Sequence, residues 1–304
     1  MNYSLLILTV LTLTSFGATI TSTIAIDRNN ANKPIPRFVN GFTVFYDRDA
    51  QTVTSYDRSG KLNTQAVLKL PDVARITITD VTADSAGRLV VAGSASDSSG
   101  QYGTSILIWI NPDGSVERVV RPDAFAVRRV LFTPGGMLLA LGGSRDSNLR
   151  ETPSHDMVRE YGSDGRIVRT LAPRTTFSDS RRHPSADAFL TANQEVFGIY
   201  SRATETYAEY ASSGSLLGKW TIAMPAETDI TGVGLTRSGF LYLGGFASRT
   251  GAPIAYKLDR ASGSLSLVEI PKDSQSIRIT GLLAAEDDSL IFYCRPTSIL
   301  KLLP

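Results

Sequence analysis

The chain has 304 residues, 42% apolar and 20% charged, with 25 Gly and 14 Pro, proportions that suit one large domain with a sizeable core and exclude a mainly disordered chain. Its 31 basic and 29 acidic side chains leave a formal charge of +2, too little to drive non-specific binding to nucleic acid or to an anionic membrane. A single cysteine, Cys294, excludes an internal disulfide framework and a cysteine-based zinc cluster, and two histidines leave little material for acid–base chemistry.

In chain order, the first 26 residues carry no charged side chain, and Leu5 to Leu13 form an apolar run broken only by Thr9 and Thr12. A membrane span needs about 20 mainly apolar residues, and the stretch from Thr14 to Thr23 is rich in Ser and Thr. The segment therefore reads as a secretory leader, with Thr23-Ile24-Ala25 as a small-residue cleavage site and Asp27-Arg28-Asn29-Asn30 opening the mature chain. Met1 to Ser4 contain no Lys or Arg, which keeps an uncleaved N-terminal anchor as the alternative. The expectation is a leader or anchor over residues 1–25 and a single domain over 26–304, periplasmic or extracellular, with no membrane insertion beyond the N-terminal segment.

Past residue 33 the chain repeats. One turn type reads Asp84-Ser85-Ala86-Gly87-Arg88-Leu89, then Thr133-Pro134-Gly135-Gly136-Met137-Leu138, Thr191-Ala192-Asn193-Gln194-Glu195-Val196, Thr236-Arg237-Ser238-Gly239-Phe240-Leu241 and Glu286-Asp287-Asp288-Ser289-Leu290. A second type, exemplified by Tyr56-Asp57-Arg58-Ser59-Gly60-Lys61-Leu62 and Asn111-Pro112-Asp113-Gly114-Ser115-Val116, alternates with it. Gly supplies the positive φ of a tight hairpin turn, and the neighbouring Asp or Ser satisfies local backbone donors. Between turns lie short runs rich in β-branched and aromatic residues, such as Ile106 to Ile110 and Phe240 to Leu243, too short for helices and without a helical apolar period. Each repeat thus predicts four strands, and the spacing of the turns matches propeller blades.

The predicted fold is an all-β propeller of six four-stranded blades, with five or seven as alternatives. Four complete units run roughly over 77–121, 123–171, 185–224 and 229–270, with an N-terminal unit over 34–70 and a C-terminal unit over 277–304 that stops after its third strand. Residues 27–33 are expected to supply the missing outer strand.

The turn-plus-strand signature, as in Asp84-Ser85-Ala86-Gly87-Arg88-Leu89-Val90-Val91-Ala92-Gly93, resembles the six-bladed propellers of the NHL, TolB-like and SMP-30/gluconolactonase-like group. The resemblance implies an architecture. In its gluconolactonase-like branch it also implies metal-dependent enzymes with Glu, Asn and Asp ligands in the central channel, a set that has no residue-by-residue counterpart here.

Both turn types fall on one face, so the longer loops and inter-blade links share the other, where binding residues are expected. Seven residues before the first-turn marker stand Asp80, Arg129 and Asp187, candidates for the channel wall. They suit either an arginine bridge to one of the carboxylates or a site for a polar ligand or divalent cation. His155 and His183, with Asp156, form a weaker candidate metal set on the same face. The Tyr residues of the strands, Tyr200, Tyr207, Tyr210, Tyr242 and Tyr256, read as blade packing, with those near the loops able to form a platform. The expected function is an exported, non-catalytic propeller that binds a protein, peptide or glycan on its long-loop face and needs no cofactor. The alternative is a metal-dependent hydrolase or lyase of the gluconolactonase-like kind.

Overall fold

The computed structural model describes residues 19–25, 36–47, 50–71, 73–99, 103–144, 156–177, 184–270, 278–295 and 298–303. Antiparallel four-stranded sheets form in chain order. The first is β2 (Arg37–Val39), β3 (Phe42–Asp47), β4 (Thr52–Tyr56) and β5 (Leu62–Val67), followed by β6 (Arg75–Ala83), β7 (Leu89–Ser96), β8 (Gly103–Ile110) and β9 (Val116–Val120). Next come β10 (Phe125–Phe132), β11 (Leu138–Ser144), β12 (Asp156–Tyr161) and β13 (Ile167–Pro173), then β14 (Ala188–Ala192), β15 (Val196–Ser201), β16 (Thr206–Ala211) and β17 (Leu216–Thr221). The last of this kind is β18 (Thr228–Leu235), β19 (Leu241–Ala247), β20 (Pro253–Leu258) and β21 (Leu265–Val268). These five blades each use four consecutive strands. A further sheet is composite, with β22 (Arg278–Glu286), β23 (Ser289–Arg295) and β24 (Ser298–Leu303) completed by the N-terminal strand β1 (Thr19–Ala25). The innermost strands β2, β6, β10, β14, β18 and β22 follow one another around a central channel, and β22 meets β2. The molecule is a β-propeller.

The core lies between blades. Leu89 to Ala92 in β7 and Leu139 to Leu141 in β11 are fully buried on both faces, because each sheet is covered by its neighbours. Truncating one of these leucines to Ala costs about 2–5 kcal/mol by the usual cavity penalty. The outermost strands carry most of the exposed apolar residues, among them Val168, Leu217 and Leu267. The second turn type is tight because its glycine is left-handed, with φ of 86° at Gly114 and 94° at Gly214.

Neighbouring blades are also stapled at the rim. The outer strand of one blade donates to a carbonyl in the second-type turn of the next. Thr64 Oγ1 donates to Pro112 at 3.1 Å, Arg118 Nη1 to Ser163 at 2.6 Å, Arg169 Nη1 to Ser213 at 2.9 Å and Trp220 Nε1 to Arg260 at 2.8 Å.

The closing strand differs from expectation. It is supplied by Thr19–Ala25, which pairs with β24 from Thr19 opposite Leu303 to Ala25 opposite Ser298. Residues 27–33 lie outside the described residues. The physical reason is composition: Thr19-Ile20-Thr21-Ser22-Thr23-Ile24 is almost all β-branched, whereas Asp27-Arg28-Asn29-Asn30 is poor strand material.

Candidate functional site

The innermost strands enter the channel from the long-loop side. Three residues before their ends stand Pro36, Asp80, Arg129, Phe189 and Gly232, and with Leu282 of β22 these form one level of the wall. They line a cavity of about 200 Å³ at the long-loop mouth, together with Arg37, Tyr46, Thr79 and Thr231.

Two of the three channel residues expected from sequence are therefore in the wall. Asp80 is 3% exposed. Arg37 Nη1 lies 2.7 Å from its Oδ1 and 2.6 Å from its Oδ2, and the Val130 backbone N–H donates to Oδ2 at 2.8 Å. One carboxylate thus ties together β2, β6 and β10. A buried carboxylate requires such partners, but the arginine that supplies the charge is Arg37 and not Arg129. Arg129 is half-buried, and its Nη1 donates to the Arg128 carbonyl at 3.0 Å. No carboxylate among the described residues pairs with it.

Asp187 lies outside this wall. It is exposed in the turn before β14, where its carbonyl accepts the Arg202 N–H at 3.3 Å. The turn after β14, Asn193-Gln194-Glu195, contains no glycine. Counting back from it slips by two residues, and Phe189 takes the level that Asp187 was expected to hold. Asp156 is the first residue of β12, half-buried opposite Pro173. His155 and His183 lie outside the described residues, as does any set built with them.

A row of β-bulges sets the mouth's shape. The register shifts leave Thr79 in β6, Arg128 in β10, Thr231 in β18 and Thr280 in β22 as extra residues, each immediately before the wall position or, in β22, before Gly281. A bulge bends the strand and brings its preceding carbonyl toward the partner strand. Glycine stands opposite in three cases. A Cβ at Gly93 would lie 2.6 Å from the Thr77 carbonyl, and one at Gly142 or Gly245 would collide with the carbonyl of Ala126 or Asp229. The recurring glycines of the second strands, in Ala92-Gly93, Leu141-Gly142-Gly143 and Leu243-Gly244-Gly245, were the sequence signal for these bulges. β14 has no such shift, and its partner strand carries Ser201 and Tyr200 there instead.

The polar groups of the mouth are unevenly satisfied. Thr79 Oγ1 is buried and has no partner among the described residues. The Tyr46 hydroxyl reaches the Thr79 carbonyl at 3.5 Å, and Thr231 Oγ1 donates to the Gly244 carbonyl at 3.3 Å. With the Arg37–Asp80 pair internally neutral, the residual charge among the residues lining this mouth is the Arg129 guanidinium, which shares the wall with the Thr79 and Thr231 hydroxyls. That arrangement suits a carboxylate or another anionic oxygen group. It suits a divalent cation poorly, because both oxygens of Asp80 are already held by Arg37 and the Val130 amide. Among the described residues no three His, Cys, Asp or Glu side chains gather to ligate a metal.

At the opposite end of the channel, the first-type turns surround a cavity of about 240 Å³ that includes Arg58, Arg237 and Asp287. Here side chains act on the scaffold. Asn40 Nδ2 donates to the carbonyls of Ala83 at 2.9 Å and Phe132 at 3.2 Å, and Asn193 Nδ2 donates to Thr236 at 3.1 Å. The strand tyrosines are packing residues: Tyr200, Tyr207, Tyr210 and Tyr242 are all buried. Burial pushes the Tyr200 phenol up to about 12. Burial also pushes Tyr207 well above its ordinary value, with the Glu209 carboxylate, which accepts its hydroxyl at 2.8 Å, adding to the effect.

The fold defines the class as a β-propeller with a polar mouth at the long-loop end of its channel. No protein-family model matches the chain, and no curated protein matches it in sequence. Solved structures match it over most of its length at low identity. A luciferin-regenerating enzyme is 12% identical, with 95% of this chain and 96% of that chain covered, at a TM-score of 0.56. A Bacteroides fragilis protein described as exported is 12% identical over 90% of this chain and 83% of its own, at 0.52. A gluconolactonase from Xanthomonas campestris is 13% identical over 94% and 98%, at 0.47. At such identities the likeness is one of fold.

Proposed function

We propose that the protein is an exported, non-catalytic propeller that binds a peptide, protein or glycan partner through an anionic group at the long-loop mouth of its channel. The observation that carries this reading is the Arg129 guanidinium, half-buried in the wall of the mouth with only a backbone carbonyl as partner among the described residues. The same wall holds a buried Thr79 hydroxyl without a partner among the described residues and the neutral Arg37–Asp80 pair. A rigid ring presenting the Arg129 guanidinium and hydroxyls in one wall offers bidentate recognition of a carboxylate. Export is supported by the uncharged, apolar N-terminal segment.

An array of acidic and neutral glycans and peptides, probed with the wild-type protein and with Arg129→Ala, tests the proposal. Retention of an acidic subset by the wild type, lost in Arg129→Ala, is expected. Equal retention by both proteins overturns the role of Arg129. Hydrolysis of a sugar lactone that depends on added Ca²⁺ would overturn the non-catalytic reading in favour of the metal-dependent hydrolase.

A further inference from the structure

The N-terminal strand and the leader-like sequence overlap, and that overlap decides where the leader can end. We propose that the protein is processed on the N-terminal side of β1, at the Gly17–Ala18 bond, so that the strand closing the ring is the first element of the mature chain. The inference rests on the export reading and goes beyond it by assigning the processing site.

Cleavage after Ala25 would remove β1 entirely, and with it every backbone pair that runs from Thr19–Leu303 to Ala25–Ser298. β24 would then be an open edge, bonded to β23 alone, at the one sheet that joins the two ends of the chain. The other five sheets each end on a fourth strand, and without β1 this one would end on its third. Thr19 to Ile24 has the composition of a strand, since all but Ser22 are β-branched. A leader needs an apolar run followed closely by small residues at the cleavage site. Residues 1–17 already meet both needs without borrowing from β1. The run Leu5 to Leu13 is followed by Ser15-Phe16-Gly17, which places a small residue directly before the bond and another two positions earlier. The alternative site, Thr23-Ile24-Ala25, lies inside the paired strand and well removed from the apolar run.

The full chain, expressed in a bacterium with a periplasm, is recovered from the exported fraction and its N-terminus read by intact mass. A mature chain starting at Ala18 is expected. One starting at Ile26, or an exported chain that keeps Met1, overturns the assignment. Should the chain fail to leave the cytoplasm, the export reading falls and the processing site falls with it.

The role of β1 is decided separately, on chains 18–304 and 26–304 made in the cytoplasm. The shorter chain is expected to melt lower by at least about 5 °C, the size of shift that follows from losing a whole paired strand in a domain of this length. A synthetic peptide of residues 18–25 added in trans is expected to restore much of that loss, by mass action on an open edge, while a scrambled peptide does not. Equal melting of the two chains, or equal rescue by both peptides, overturns the closing role.

Discussion

Asp80 and Arg129 stand at the same level of the channel wall on adjacent innermost strands, yet the two sides of the mouth are built differently. On the Asp80 side both carboxylate oxygens are held, and a side chain from β2 and an amide from β10 converge on them. On the Arg129 side, among the described residues, the guanidinium reaches only the carbonyl of its own neighbour. One side is scaffold, and the other is the side proposed to meet a ligand. Burial explains the difference: the Asp80 side chain is 4% exposed and cannot remain charged without partners, whereas Arg129 keeps access to solvent.

Removing Arg37 should separate the two sides most sharply. Arg37→Ala leaves the Asp80 carboxylate buried without its counter-charge, and a loss of about 3–5 kcal/mol is expected in urea unfolding. A loss comparable to that of an exposed arginine would show that the pair is not part of the scaffold. The bulge beside Arg129 gives the next effect. Gly142→Ala drives a methyl group into the Ala126 carbonyl, so a loss of about 1–3 kcal/mol is expected from the same measurement. The identical substitution at exposed Gly135, where an added Cβ meets only the Thr133 hydroxyl at 3.7 Å, should cost far less.

A smaller effect is expected in alkali. Tyr200 and Tyr207 have raised folded pKa values, so the native state keeps protons that the unfolded chain releases from about pH 10. Their contribution is fully present below pH 10 and falls as the pH climbs toward 12, by at most about 1.4 kcal/mol per pH unit for the fully buried Tyr207. Urea midpoints at pH 9 and pH 11, read beside tyrosinate absorbance, check this. A flat profile would mean that these phenols ionise in the folded ring. The smallest stability change, within about 0.5 kcal/mol, is expected for Arg129→Ala, together with the loss of acidic-ligand retention. A stability loss as large as that of Arg37→Ala would erase the contrast between the two sides.

The strands and turns were legible because a propeller repeats the same local chemistry. Glycine at Gly87, Gly114 or Gly239 marks a turn wherever β-branched runs flank it, and no long-range information is needed. Asp80 and Arg129 were legible for the same reason, since their turns share one length. Arg37 was missed because its blade turns on Asn40-Gly41 directly between Val39 and Phe42, which shortens the count back to the channel. Asp187 was displaced by the opposite irregularity, a turn without glycine and a strand without a bulge. Bulges are properties of a pair of strands, so Thr79 and Thr231 could not be placed from their own segments, although Gly93 and Gly245 opposite them carried a trace of the pattern. The closing strand was hidden because an uncharged stretch of Thr and Ile after an apolar run satisfies a leader as well as a strand.

The rim staples have a direction. Thr64, Arg118, Arg169 and Trp220 each reach forward to the next blade in chain order. Each of the first four blades therefore has a grip waiting for its successor as the polypeptide emerges N-terminus first. Assembly can advance like a ratchet, one sheet at a time, with short loops to close at each click. The seam between the chain's two ends is different in kind: β1 is the earliest strand to emerge and β24 the latest, so that seam cannot close until the whole chain has been delivered.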